Sequence, residues 1–432
     1  MPPRLGLNQD DLKRRNRNQV LNTILESAAI CRRDIAARTG LTAAAVGNIV
    51  GELLDRGLVE EIGVDRDDAE RRGGPNPILL SITSERPYLL TLHLGPSALD
   101  VGIVNLRGQT VARASRPLSP DCSVAAFLGG ARELSAGLCR ERDLALGEDF
   151  LAVGFATAGN FAEDGTIVWH RHPPFVGLAA RERLRELFGL PVFVGNTARA
   201  MALAEGWFGA GRGLPNYLFM LVGEVVDSAL VADRAVVVGK RYFSTLLAHA
   251  PVAAGGPLCY CGRRGCLEAM AADAALLRQA EEIARDPSSV LASLASGRPP
   301  SKSLVVRAAE RGDERCRELL ARRGGYIGVA IAEALNWLDV QAVIVAKDLG
   351  APASQIEARA LELAYLDNLG FRQRAPEVIF AEKQSELALL GPATLALRWV
   401  FSPHFDLYTL PNRSQNLARA EALVRESGLV EA

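Results

Sequence analysis

Three cysteines crowd into eight residues in the run Cys259-x-Cys261-Gly262-x-x-Gly265-Cys266-x-Glu268, and His249 lies ten residues upstream of the first. Three thiolates and one imidazole make a complete tetrahedral donor set for Zn²⁺, and the two glycines let the backbone turn tightly enough for the sulfurs to converge. With all four positions filled by protein, such a site is structural: it braces a loop and keeps no position open for substrate. Cys31, Cys122, Cys139 and Cys316 are scattered and read as small buried residues, and an odd total of seven without a secretory signal argues against a disulfide framework. A second pair, His170-x-His172, has no Cys, Asp or further His beside it and reads as a surface loop lining a cleft, while His93 and His404 read as single structural histidines.

A braced loop needs a packed body to brace. The 432 residues, 49% hydrophobic and 23% charged, suffice for two or three domains and exclude wholesale disorder. No apolar run reaches about 18 residues and the N-terminus lacks a signal-peptide core, so a cytoplasmic chain without a membrane partner is expected. The formal net charge of -1 gives no global footprint for nucleic acid, so any such role must be local to one segment.

The N-terminus supplies that segment. Apolar residues recur at helical spacing in three short pieces: Val20, Ile24 and Leu25; Ile35 and Ala36; then Val46, Ile49, Val50, Leu53 and Leu54, ending at Gly57. Asp34 is placed to cap the second piece and Thr42 the third, with a Gly40-Leu41 turn between them, which is the layout of a helix-turn-helix. Strand-like runs at 58–62 and 79–82 flank a polar tip at 65–77 and predict a β-hairpin wing. Residues 1–40 carry eight Arg/Lys against four acids, whereas residues 41–80 carry four against eight. Positive charge therefore gathers on the first two helices, Arg32 and Arg33 included, and Arg71-Arg72 add a basic point at the wing tip suited to the DNA backbone or a minor groove. The third helix should enter a major groove with Thr42, Ala43, Ala44, Gly47 and Asn48 on its exposed side. So few of these can read base edges that specificity should rest on Asn48, the wing arginines and DNA shape.

From about residue 87 strands alternate with helices. Strands are predicted at 89–94, 101–105, 110–116, 150–156 and 191–194, with helices at 124–142 and 178–188; further on come strands at 217–222, 228–231 and 342–345 and a helix near 322–338. The expected fold class is α/β: two halves behind the winged helix, with a ligand cleft where they meet. The expected boundaries are 1–85 for the winged helix, 86–194 for a first lobe completed by a helix around 385–403, 195–384 for a second lobe with the metal loop, and a helical tail over 404–432. No tandem repeat or low-complexity segment is visible.

A His followed by Cys-x-Cys-Gly-x-x-Gly-Cys-x-Glu resembles the zinc signature of the ROK family, the bacterial repressors and sugar kinases built on the actin-like ATPase fold. Every position of that signature is matched, and the resemblance covers most of the chain. Residues 12–82 resemble the winged helix of the repressor branch, including a wing that ends in Gly73-Gly74-Pro75. The resemblance implies a zinc-braced actin-like body on His249, Cys259, Cys261 and Cys266, a double-stranded DNA operator as partner, and a homodimer or homotetramer.

It also implies a damaged kinase site. Family kinases use an Asp directly after an Asn as general base; here the pair is Asn196-Thr197, and a Thr hydroxyl does not take a proton near neutral pH. The family's first phosphate loop, Asp-x-Gly-Gly-Thr, stands as His93-Leu94-Gly95-Pro96-Ser97, where Pro96 removes an amide donor. The second stands as Gly223-Glu224-Val225-Val226-Asp227-Ser228-Ala229, which places two acids where ATP phosphates would lie, and the late Gly-Gly stands as Ala346-Lys347. On the sugar side the family's Glu becomes Leu246, which leaves Gly159, Asn196, His249 and Glu268 as candidate contacts to a sugar-like small-molecule effector. Glu268 reads equally well as a helix-start carboxylate beside the metal loop. The sequence thus predicts a non-enzymatic transcriptional regulator, with a divergent sugar kinase carrying a DNA module as the alternative.

Overall fold

The computed structural model describes residues 9–27, 29–64, 76–119, 121–240, 242–347, 353–370, 375–381 and 384–402. Arg71, Arg72, His404 and the expected tail over 404–432 lie outside the described residues. Contacts divide the chain into two units, one running to Thr197 and resuming at Ala388, the other Ala198–Leu387.

The first unit opens with helices α1 (Gln9–Ser27), α2 (Arg32–Thr39) and α3 (Ala43–Asp55). Strands β1 (Ile30–Cys31), β2 (Val59–Val64) and β3 (Ile78–Ile82) form an antiparallel sheet of order β1-β3-β2. Val46, Val50 and Leu53 bury one face of α3, and Val20, Leu21, Ile24, Ile35, Leu58 and Leu80 are buried in the neighbouring elements, so helical periodicity in the sequence becomes a small core. Thr42 caps α3, its side chain accepting from the Ala45 N–H at 3.2 Å, and α2 stops at Gly40 in the left-handed region at φ 71°. The expected Asp34 cap is corrected. Cys31 stands at the N-cap of α2 with no side-chain cap, because the chain enters the helix directly from β1, which is pinned to β3 by the pairs Ile30↔Leu80 and Cys31↔Leu79. Asp34 sits inside the first turn and accepts from the Cys31 thiol at 3.3 Å.

Behind the winged helix, β4 (Tyr88–Leu94), β5 (Ala98–Val104), β6 (Thr110–Pro117), β7 (Phe150–Thr157) and β10 (Val192–Asn196) form a sheet of order β10-β7-β4-β5-β6. A hairpin of β8 (Gly159–Phe161) and β9 (Ile167–His170) follows β7, and helices α4 (Val124–Glu141) and α5 (Ala180–Phe188) cover the sheet through Phe127, Leu138, Leu184 and Phe188. β7 is buried along its whole length, as expected of a parallel strand covered on both faces. Helix α6 (Thr197–Phe208) starts directly at the end of β10.

The second unit repeats the strand pattern. β11 (Tyr217–Val222), β12 (Val226–Ala232) and β13 (Ala235–Val236) form an antiparallel meander, and β14 (Ala342–Lys347) and β15 (Glu377–Ala381) add parallel strands on the other side of β11, giving β13-β12-β11-β14-β15. Read from the edge of the meander, both sheets have a three-strand meander followed by two parallel strands, the duplicated architecture of an actin-like body. Helices α7 (Leu267–Ala271), α8 (Asp273–Ala284), α9 (Val290–Ala295), α10 (Lys302–Glu310) and α11 (Glu314–Leu335) follow the metal loop, then α12 (Ala353–Asn368) precedes β15. A cluster of Leu276, Ile283, Leu291, Val305 and Leu320 gives α8 to α11 a core of their own. The final described helix, α13 (Gln384–Val400), returns to the first unit.

Candidate metal centre and nucleic-acid interface

Between β13 and α7 the chain makes one short 3-10 turn at Leu247–His249 and a tight loop that carries the three cysteines. Cys259 N–H donates to Arg263 O at 2.7 Å and Gly262 N–H to Cys259 O at 2.9 Å, while isolated bridges pair Leu258 with Arg264 and Pro251 with Cys266. Gly265 is required here: its φ is 68°, and a Cβ would lie 1.8 Å from the Ala253 carbonyl oxygen. The Arg263 guanidinium donates to the His249 carbonyl at 2.6 Å and fixes the histidine side of the loop.

The ligand atoms of His249, Cys259, Cys261 and Cys266 all lie within 4.8 Å of one another. Cys259 Sγ is 3.6 Å from His249 Nδ1, and Cys261 Sγ is 3.6 Å from Cys266 Sγ, well beyond a covalent S–S bond. The edges of a tetrahedron with Zn–S bonds of about 2.3 Å and Zn–N bonds of about 2.0 Å are roughly 3.5–3.8 Å, so the donor types suit zinc and these two pairs stand at its edge lengths. Burial, and then the charge of Arg263, hold the His249 pKa below its ordinary value, which leaves the imidazole neutral as a ligand must be. Burial opposes ionisation of Cys261, but hydrogen bonds from Arg263 and the two other thiols bring it down to about 7. One feature of this brace has no local sequence signal. Arg323, only 3% exposed on α11, donates to the Ala271 carbonyl at the end of α7 at 2.6 Å and to Asp273 at 2.7 Å, with Lys302 2.9 Å from the same carboxylate. The helix that leaves the metal loop is thus gripped from behind.

Of the proposed effector contacts, Gly159 and Asn196 come together: Asn196 Nδ2 donates to the Gly159 carbonyl at 3.3 Å. His249 and Glu268 belong to the second unit, where the buried Glu268 carboxylate accepts the Val226 N–H at 2.6 Å, the geometry of its alternative, structural reading. Thr197 is 3% exposed, and its hydroxyl oxygen has no hydrogen-bond partner among the described residues.

His170 is a correction. It is buried, not on a surface loop, because Thr157 and the turn after β9 enclose it. The Thr157 hydroxyl donates to Leu94 O at 2.8 Å and so can only accept from His170 Nε2 at 2.9 Å, while His170 Nδ1 accepts the His172 N–H at 3.0 Å. Burial holds this neutral tautomer with a pKa of about 4. His93 is also buried and faces Asp100 at 3.5 Å; burial would raise the Asp100 carboxyl, but hydrogen bonds from His93 and Ser115 more than offset it and lower it.

In the winged helix, Thr42, Ala43, Ala44 and Asn48 are exposed at the start and along the second turn of α3. Arg32 pairs with Glu61 at 3.1 Å and Arg33 with Asp34 at 3.5 Å, the first pair partly exposed and the second about half exposed. Arg17 of α1 reaches Glu52 of α3 at 3.2 Å and links the two helices.

Residues 13–60 match a winged helix-turn-helix DNA-binding family and residues 91–398 match the ROK family. The chain therefore belongs to the ROK family. Within it, the winged helix places the chain among the DNA-binding transcriptional regulators. It is 25% identical over 339 residues, 77% of this chain and 83% of the other, to the xylose repressor of Caldicellulosiruptor bescii. A crystal structure of a ROK family transcriptional regulator, homolog of the E. coli MLC protein, superposes with a TM-score of 0.72 at 22% identity, covering 98% of this chain and all of that one. A ROK family glucokinase from Streptomyces griseus, solved with glucose and AMPPNP, superposes with a TM-score of 0.62 at 23% identity over 71% of this chain and 98% of its own. The body thus shares its fold with kinases as well as regulators.

Proposed function

We propose that this protein represses transcription from an operator, as a two-fold symmetric oligomer whose kinase-derived body holds structural zinc, binds a sugar-like effector and transfers no phosphate. The observation that carries this reading is the combination of a winged helix-turn-helix with Thr197 at the position of the family's general base. The Thr197 hydroxyl, enclosed and without a basic partner, offers no proton acceptor, and loss of a general base costs about 10²–10⁴ in rate. Pro96 withholds an amide from one phosphate loop, and Glu224 and Asp227 set negative charge in the other. His249, Cys259, Cys261 and Cys266 would hold Zn²⁺ as a closed set, which supplies rigidity and no reaction. Arg32, Arg33 and the wing arginines Arg71 and Arg72 would neutralise phosphates while Thr42, Ala43, Ala44 and Asn48 face the major groove.

Gly159, Asn196, His249 and Glu268 are the candidate effector contacts. The named specificity of the xylose repressor makes pentoses the first compounds to try. Calorimetry with ATP·Mg²⁺ and a panel of pentoses, hexoses and amino sugars, followed by a phosphoryl-transfer assay, tests the reading. Binding of a sugar without ATP binding or turnover supports it; turnover above background would show a working kinase.

A further inference from the structure

Helix α13 lies in close contact with the first sheet. A Cβ on Gly154 of β7 would stand 1.9 Å from the Pro392 carbonyl oxygen, and one on Gly195 of β10 would stand 2.9 Å from Leu395. A Cβ on Gly102 of β5 would likewise stand 2.9 Å from Leu389, so three strands touch this helix through glycine, one of them in the residue before Asn196. At its far end α13 runs into Phe401, whose N–H still bonds to Leu397 O at 2.8 Å. A carbonyl in the last turn has no partner within its helix.

Two side chains of the winged helix take that carbonyl. Asn18 and Asn22, one turn apart on α1, both donate their amide Nδ2 to Phe401 O, Asn22 at 3.0 Å, and Asn22 also donates to Asn18 Oδ1 at 2.9 Å. A second bracket closes the other side. Arg107, in the turn between β5 and β6, donates to the Ile82 carbonyl at the end of β3 and to the Glu60 carboxylate of β2. Glu60 also accepts from Ser84 at 3.2 Å, and the neighbouring Asn105 donates to Ser84 O at 3.0 Å. The winged helix is thus held at both ends of its fold, to a helix and to a turn that belong to the same rigid sheet.

We propose that Asn18, Asn22 and Arg107 are positioning residues for DNA recognition: they clamp the winged helix to α13 and the first sheet, and so set the distance between the two half-sites that an oligomer can occupy. The half-site spacing part of this inference rests on the two-fold reading given under the proposed function. None of the three residues needs to touch DNA. Asn18 and Asn22 reach from the winged helix to a backbone carbonyl of the body, and Arg107 reaches from the body to a carbonyl and a carboxylate of the winged helix, so removing them leaves α3 and its cap intact. Because Gly195 adjoins Asn196 and packs on α13, a ligand at Asn196 would act on the same clamp.

The test uses the full chain with Asn18→Ala and Asn22→Ala combined, Arg107→Ala separately, and Asn22→Gln as the conservative variant. Duplexes selected by the wild type from a random-sequence pool are rebuilt with half-sites moved apart by about 5 bp, half a helical turn, and as single half-sites. The clamp predicts a wild type at least about tenfold weaker on the shifted duplex, and a double variant that loses most of this discrimination while binding the single half-site within about twofold. Asn22→Gln restores part of it. A double variant that melts like the wild type and keeps its spacing discrimination overturns the proposal. If the wild type itself ignores spacing, the two-fold reading fails first, and endoproteinase Glu-C decides the clamp on its own: cleavage after the exposed Glu85, between winged helix and lobe, must be faster in the double variant, and unchanged cleavage overturns it.

Discussion

At the scale of single residues, the metal loop was legible because its four ligands lie within 18 residues and their spacing alone dictates convergence. The structure gathers the four donor atoms within 4.8 Å of one another, two of the pairs at 3.6 Å. Full-length protein should carry about one zinc per chain, and Cys266→Ser should release it and lower the melting temperature, as read by metal analysis and calorimetry. His170 was misread for the opposite reason: its partners, Thr157 and the His172 backbone, come from a strand pairing that sequence spacing does not reveal. Its buried neutral state makes a pH prediction. With a folded pKa of about 4 against an unfolded value of 6.5, both states are neutral above pH 6.5, so His170 adds no pH dependence there. As pH falls towards 4 the unfolded chain takes the proton and the folded one does not, which should cost up to about 3 kcal/mol of stability. Urea melts of wild type and His170→Gln between pH 7 and 4 check this; the variant should lose less stability over that interval, and equal slopes would contradict it.

At the scale of elements, the winged helix followed from helical periodicity and its turn glycine, because a three-helix core this small is made by consecutive segments. Leu53, fully buried on α3, should be essential to it: Leu53→Ala should cost about 2–5 kcal/mol of winged-helix stability, and hydrogen exchange should show the loosening confined to α1, α2 and α3. The Asp34 cap failed because strand pairing of β1, not capping chemistry, starts α2. Helices α8, α9 and α10 were not foreseen. They are short, of 12, 6 and 9 residues, and their apolar faces pack on one another, on α11 and on Ile356 of α12. β15 was hidden because it is an edge strand of which only Ala381 is fully buried.

At the scale of the whole molecule, the α/β class was legible from alternation, and the actin-like body from the zinc signature. The duplication was not: two sheets share one strand order without any visible sequence repeat, since sheet topology constrains hydrophobic pattern and connection length, not residue identity. Nor could the sequence show that Asn18 and Phe401, 383 positions apart, meet. Regulation by DNA binding is tested most directly by selecting duplexes from a random-sequence pool with the full-length, zinc-loaded protein and measuring affinity at physiological salt. Repressor function predicts one enriched sequence with dyad symmetry, bound with a Kd of about 10⁻⁸ M or below and at least about 10³-fold more tightly than unselected DNA. No enriched sequence, or equal affinity for selected and unselected duplexes, would contradict it.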